Sequence, residues 1–265
     1  MRNTIISLAI LSSASVYAHH DHDFSITTDN CQVEFQNNVK ITPQEVYITH
    51  SGDQQMMITT NGTLHINNKA ISVTPEQQQA LALYAETLRV ELPKVADVAS
   101  EAVSIASVAL DEVATAFSLD SLDSLDDLSG LLDELNSEVH NTFYQEGSFV
   151  MGEQVMSNFG EKFEHEFESR VESAIKNAMF ESIGSLLMSI GSEMKHANGD
   201  FNAFEQRMEK LGESIEQRVT VQAEQLELRA ESLCHQFEQI AIQEERLSQS
   251  IPTLSGYTLM RYSVQ

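Results

Sequence analysis

The last third of the chain carries an apolar stripe that decides much of what it can fold into. Phe201, Phe204, Met208, Leu211, Ile215, Val219, Ala223, Leu226, Ala230, Leu233, Phe237, Ile240 and Leu247 recur in steps that alternate between three and four residues. Glu244 is the single polar residue on that stripe, and one stutter interrupts it where Leu211, Ile215, Val219 and Ala223 stand four apart. A continuous helix over Phe201 to Leu247 would be about 70 Å long. No helix can cover its own apolar stripe, so the spacing predicts packing against other helices, supplied by the same chain or by a second copy of it. An elongated bundle or coiled-coil-like hairpin follows.

The opposite end is built differently. Met1 and Arg2 precede an apolar run from Ile5 to Leu11, and Val16-Tyr17-Ala18 closes it with small residues at the −3 and −1 positions. That is the layout of a signal peptide, with cleavage expected after Ala18. The run is too short to cross a bilayer, and no later stretch reaches the roughly 20 apolar residues a membrane helix needs. Cys31 lies too far from the apolar run to be a lipidation site. The sequence therefore predicts soluble export to an oxidising compartment, where the only two cysteines, Cys31 and Cys234, can pair. Their bridge would close a loop of about 200 residues and contribute roughly 5 kcal/mol through chain entropy. Two separate buried thiols are the alternative reading.

Between these ends the period changes once. Val46-Tyr47-Ile48-Thr49, Met56-Met57-Ile58-Thr59 and Leu64-His65-Ile66 read as short strands, with a tight turn at Asn61-Gly62 and another at Asn67-Asn68 before Ala70 to Val73. Asn61-Gly62-Thr63 also fits a glycosylation acceptor, but the turn accounts for it. At Thr74-Pro75-Glu76-Gln77 the pattern becomes helical, with a capping box and Pro at the first helical position. Leu81, Tyr84, Leu88 and Leu92 share a face until Pro93 ends the helix, and Val95 to Phe117 reads as a second helix. The tract Leu119 to Leu128 repeats Leu every three residues with Asp between. Such a period drifts around an α-helix, so an irregular linker is expected there, then a helix from about Leu131 to Gln145 and a break at Glu146-Gly147-Ser148. Beyond Phe149 everything favours helix, with Phe159, Phe163, Phe167, Val171, Ala174 and Ala178 at steps of three and four. The expected organisation is a signal peptide (1–18), a His/Asp-rich N-terminus (19–30), a β-meander (31–74), helices (75–117), an acidic linker and helix (118–147), long helices (148–250) and a C-terminal tail (251–265).

Charge narrows the partners. The chain holds 40 acidic against 15 basic residues, a formal net charge of −25. Nucleic acids and anionic membranes need clustered cations, so both are excluded as partners. Fourteen acidic residues and no Lys or Arg lie between Val95 and Glu161. That tract is either a solvated face or a docking surface for a basic envelope protein. With 42% apolar residues the chain can bury a substantial core.

Taken in order, Cys31-Gln32-Val33, Lys40-Ile41-Thr42-Pro43, the hairpin at Asn61-Gly62, Asn68-Lys69 and Thr74-Pro75-Glu76-Gln77 through Leu92-Pro93 resemble the YggN-like family of Gram-negative periplasmic proteins, a domain of unknown function. The detailed likeness covers residues 31 to 93, and the acidic and helical half agrees in layout and in the late Cys234. The resemblance implies a bacterial periplasmic protein and carries over no catalytic residues. The His-rich N-terminus and the Leu-Asp repeat depart from the family pattern.

Chemistry is concentrated in His19-His20-Asp21-His22-Asp23, where three imidazoles and two carboxylates can chelate Zn(II), Cu(II) or Ni(II) weakly. Asp21 stands where the amino-terminal copper motif needs His. His165-Glu166 starts like a zinc-protease helix, but Ser169 replaces the second His. Glu193 and His196 give half of a di-iron pair without its other half. Glu231 and His235 flank Cys234, whose sulfur in a disulfide is no thiolate ligand. Ser173 and Lys176 have the spacing of penicillin-recognising enzymes without the companion strand. Asp120, Asp123, Asp126 and Asp127 lack the central Gly of a calcium loop. The fold class expected is α+β, mostly α: a small N-terminal antiparallel β-meander followed by an elongated helical bundle. The function expected is that of a non-catalytic periplasmic interaction or scaffold protein with no resident cofactor. A Zn or Cu binding or buffering protein is the first alternative, and an enzyme whose site forms only in the fold is the second.

Overall fold

The computed structural model describes residues 24–28, 31–50, 54–117, 123–174, 176–177, 206, 209–210, 212–214 and 216–263. Its contacts divide the chain into two units, one made of Met1–Leu92, Gly147–Met156 and Ala230–Gln265, the other of Pro93–Glu146 and Ser157–Arg229.

The first unit is built on the expected meander. Strands β1 (Phe24–Thr28), β2 (Cys31–Phe35), β3 (Asn38–Ile41), β4 (Glu45–His50), β5 (Gln54–Thr59), β6 (Leu64–Ile66) and β7 (Lys69–Ile71) precede helix α1 (Pro75–Glu91). Alternation sorts the side chains: Val46 pairs with Ile58, Ile48 with Met56 and Ile58 with Leu64, all buried on one face. Asn67 and Asn68 both take left-handed backbone, with φ of 48° and 63°, which is the two-residue turn that matches strand twist. Gly62 has φ +78°, and a Cβ there would overlap the backbone carbonyl of Gln78 in α1. The Thr74 hydroxyl accepts from the Gln77 amide at 3.3 Å while the Gln77 side chain accepts from the Thr74 amide at 2.9 Å, completing the capping box. Leu81, Tyr84, Ala85 and Leu88 are buried along α1.

Two expectations are corrected here. Ser148–Met151 is a strand, β9, and the break at Glu146-Gly147 is the turn that joins it to the two-residue strand β8 (Tyr144–Gln145). Phe149, Val150 and Met151 are all buried, and an apolar run buried on both faces has the same pattern in a strand and in a core helix. β9 pairs with β3, Met151 opposite Val39 and Phe149 opposite Ile41, giving the antiparallel order β7-β6-β5-β4-β3-β9-β8. The expected C-terminal tail is also structured. A 3₁₀ turn at Pro252–Leu254 leads to strand β10 (Met260–Ser263), which pairs with β2 in a second sheet of order β1-β2-β10.

Helix α5 (Val221–Ser250) carries the end of the long stripe. Leu233, Phe237, Ile240 and Leu247 are buried on it, and the Phe237 ring meets Phe35 of β2 edge-on at 5.8 Å. Cys31 and Cys234 form a disulfide with Cα atoms 6.1 Å apart, which ties β2 to α5. At the far end of α5 the Gln77 side chain donates to the Ser250 carbonyl at 2.8 Å.

In the second unit α2 (Lys94–Phe117) packs on α3 (Asp123–Phe143). Helix α3 starts eight residues before the expected Leu131, so the described part of the Leu-Asp repeat is helical. Tertiary packing helps to hold its end: Leu128, the last leucine of the repeat, with Leu131 and Leu135 beyond it, closes on Phe167, Val171 and Ala174. Helix α4 (Glu153–Lys162) runs into a π-helical turn at Phe163–Glu168, where Phe163 and Phe167 stack at 6.0 Å. A second π turn, Glu216–Thr220, falls on the stutter of the long stripe. Steps of four drift around an α-helix, and a turn widened to i→i+5 bonding takes up that drift. The remainder of the stripe before residue 216 lies largely outside the described residues. Among those described, no helix is long and apolar enough to cross a membrane.

Candidate functional site

Glu244 is the polar residue on an apolar stripe, and the first unit closes around it. Its side chain is 4% exposed. One oxygen, Oε1, accepts from the Tyr84 hydroxyl of α1 and from the Leu259 amide at 2.9 Å, and Oε2 accepts from the Met260 amide at 3.2 Å. Those amides belong to residues 251–263, which turn back at Ile251 and Pro252 and end in β10. Burial pushes the Glu244 carboxyl up to about 7, against its three hydrogen bonds, which favour the ionised form. Burial and the neighbouring carboxyl hold the Tyr84 phenol well above its usual 10. A removal of Glu244 would leave three buried donors without an acceptor, at about 1–3 kcal/mol for each orphaned group.

Beside this node lies an open cleft of about 520 Å³ between α5 and the returning C-terminal segment. Asn37 forms its base. It is buried, donates to the Thr258 carbonyl at 2.6 Å and accepts at Oδ1 from His50 Nδ1 at 2.8 Å. Since the Asn37 amide group is used as donor toward Thr258, its oxygen is the acceptor, so Nδ1 of His50 carries the hydrogen and Nε2 is the lone-pair nitrogen of the neutral ring. The His50 ring also meets Tyr257 at 6.4 Å. Ile242 and Met260 supply apolar wall, and Glu245 and Arg261 bring opposite charges to the same cleft. Such a lining can hold a polar or zwitterionic group by hydrogen bonds and charge, with one imidazole nitrogen available as a hydrogen-bonding partner or ligand.

The residues singled out in the sequence meet different fates. Cys31 and Cys234 come together. His19, His20, Asp21, His22, Asp23, Asp120, Glu193 and His196 lie outside the described residues. His165 and Ser173 are exposed, and Lys176 pairs with Glu172 at 2.6 Å, away from Ser173. His235 approaches Glu238 at 3.5 Å. Asp126 and Asp127 are exposed on α3. Among the described residues no three His, Cys, Asp or Glu side chains converge as a metal site. Glu244 was visible in the sequence as the intruder on the stripe, whereas nothing local marks Asn37 or His50.

The acidic tract has cations after all, and they come from later in the chain. Glu138 pairs with Lys162 at 2.5 Å, Glu134 takes both Arg170 nitrogens at 2.6 and 3.1 Å, Glu101 takes Arg229 at 2.5 Å, and Glu112 takes Arg218 and the Ser214 hydroxyl. Glu112 is the buried member of the set. The solvent-facing pairs are screened by water and add little to stability. Asp97, Asp111, Asp126, Asp127 and Asp133 remain on the surface of α2 and α3.

These features define a class: a mostly helical α+β protein whose first unit is fastened by one disulfide and by a buried carboxyl that grips its C-terminal strand. Residues 31–260 match the family described as Protein of unknown function (DUF2884), and the chain belongs to that family. No curated protein and no solved structure matches it.

Proposed function

We propose that this is an exported, non-catalytic interaction protein of the bacterial envelope, a periplasmic member of the YggN-like group. The Cys31–Cys234 disulfide carries the reading, because a bridge joining residues 203 apart is kept in an oxidising compartment and fixes the first unit as a scaffold. The signal-peptide layout of Met1 to Ala18 supports the same compartment. On that scaffold the cleft of Asn37, His50, Glu245 and Arg261 is the surface offered to a partner, and the helical unit is by itself a coiled-coil-like hairpin. The test is a photo-crosslinking residue at Ile242 in the cleft, with Leu83 on the exposed face of α1 as control, in cells that export the protein. A discrete adduct from Ile242 alone supports the reading; no adduct, or equal adducts from both positions, contradicts it.

A second reading rests on His19-His20-Asp21-His22-Asp23, a metal-buffering N-terminus for Zn(II) or Cu(II). Calorimetry with each ion on the exported protein, with and without residues 19–23, separates it from the first. Affinity unchanged by the deletion eliminates the N-terminus as the site.

A further inference from the structure

Residues 251–263 are fastened within the first unit by polar anchors that gather on residues 258–260. The Gln36 amide donates to the Leu259 carbonyl at 2.8 Å, Asn37 donates to Thr258, and Glu244 accepts from Leu259 and Met260. Beyond them β10 adds four register pairs to β2, from Met260 opposite Phe35 to Ser263 opposite Gln32. The segment leaves α5 through Ile251, whose backbone is extended at φ −130° and ψ 85° between two helical turns. It is a strap with a hinge at one end and a carboxyl catch in the middle.

We propose that this strap is releasable and that the proton on Glu244 controls it: protonated, the catch holds, and ionised, it lets the strap open more often. The closed strap buries Glu244 away from water, and opening returns the carboxyl to solvent, so the two states differ in their affinity for that proton. The groups facing it leave the control to Glu244 itself. From α1 comes the Tyr84 phenol, from β5 the apolar Met56 and Ile58, from the strap Leu254 and the Tyr257 phenol, and from α5 Leu247 and Ser248. Apart from the two phenols none of these side chains is titratable. Glu245, the next residue along α5, and His50 line the neighbouring cleft, and since His50 reaches the strap through Tyr257 and Asn37, it is the Glu244→Gln comparison that isolates the catch. With the closed carboxyl at about 7 and the open one at the ordinary 4.5, the opening constant rises on the order of thirtyfold from pH 5.5 to pH 8. Because Ser255, Gly256, Thr258 and Arg261 wall the cleft, an open strap also dismantles it, a consequence that rests on the cleft being the partner site.

The experiment is amide hydrogen exchange on the oxidised full chain across pH 5.5 to 8, corrected for intrinsic rates. Protection of the Leu259 and Met260 amides should fall on the order of thirtyfold and lie well below that of the Leu88 amide of α1, which is exposed only by unfolding of the unit, and Glu244→Gln should abolish the dependence. Flat protection in the wild type, protection at Leu259 and Met260 equal to that at Leu88, or an unchanged slope in Glu244→Gln overturns the proposal. If Glu244→Gln does not fold, the carboxyl carbon of Glu244 is titrated by NMR in the wild type: a midpoint near 7 supports the catch and one near 4.5 overturns it. None of these readouts involves a partner, so they succeed or fail independently of the crosslinking test.

Discussion

Opening the Cys31–Cys234 bridge is the perturbation with the largest effect that the structure allows to be worked out. The cysteines are 203 residues apart in sequence, so the oxidised unfolded chain carries a closed loop of about that length. The chain-entropy relation gives about 5 kcal/mol for such a loop, at the top of what single disulfides contribute. For a chain of this size each kcal/mol moves Tm by about 2–4 °C, so reduction should lower it by about 10–20 °C. The shift belongs to the unit that holds both cysteines, where β2 and α5 meet through Phe35 and Phe237. Differential scanning calorimetry with and without reductant, and on the Cys31→Ser, Cys234→Ser double variant, measures it. A change under 2 °C would refute the reasoning, since it would mean that the reduced unfolded chain is already as restricted as the oxidised one.

Stability should also depend on pH with an unusual sign. The folded Glu244 carboxyl holds its proton up to about pH 7 while the unfolded one releases it near 4.5, so its contribution is complete below pH 4.5 and is lost as pH rises through 7. The loss between pH 5.5 and 8 amounts to about 2 kcal/mol and is read by urea denaturation at those two pH values; greater stability at pH 8 would contradict it. Replacing Gly62 by Ala forces a Cβ into the Gln78 carbonyl at a positive φ, and should cost about 2–4 kcal/mol in the same assay; a neutral substitution would show that α1 and the hairpin are not in contact. Asn37→Ala removes the donor to Thr258 and the acceptor of His50, for about 1–3 kcal/mol and a faster exchange of strap amides.

What the sequence makes legible is local. Asn61-Gly62, Asn67-Asn68 and Thr74-Pro75-Glu76-Gln77 specify their turns and cap within four residues each, so the meander and α1 can be read without knowing anything distant. β9 and β10 cannot, because each is a strand only through its partner: Met151 opposite Val39, Met260 opposite Phe35. The Leu-Asp repeat has a period that suits no secondary structure, and its described part is helical where Leu128, at its end, joins Leu131 and Leu135 in packing on Phe167, Val171 and Ala174. Glu244 stands out on the stripe by its polarity, yet its donors come from Tyr84 and from two amides past the end of the helix. The acidic tract likewise reads as unmatched until Lys162, Arg170, Arg218 and Arg229 fold against it.

The central claim, an exported protein held by one disulfide, is tested most directly by mass spectrometry of the protein purified from the periplasmic fraction under non-reducing conditions. The expected species is a chain beginning at His19 with a single cross-linked peptide pair containing Cys31 and Cys234. A chain that retains Met1 and carries two free thiols would contradict it.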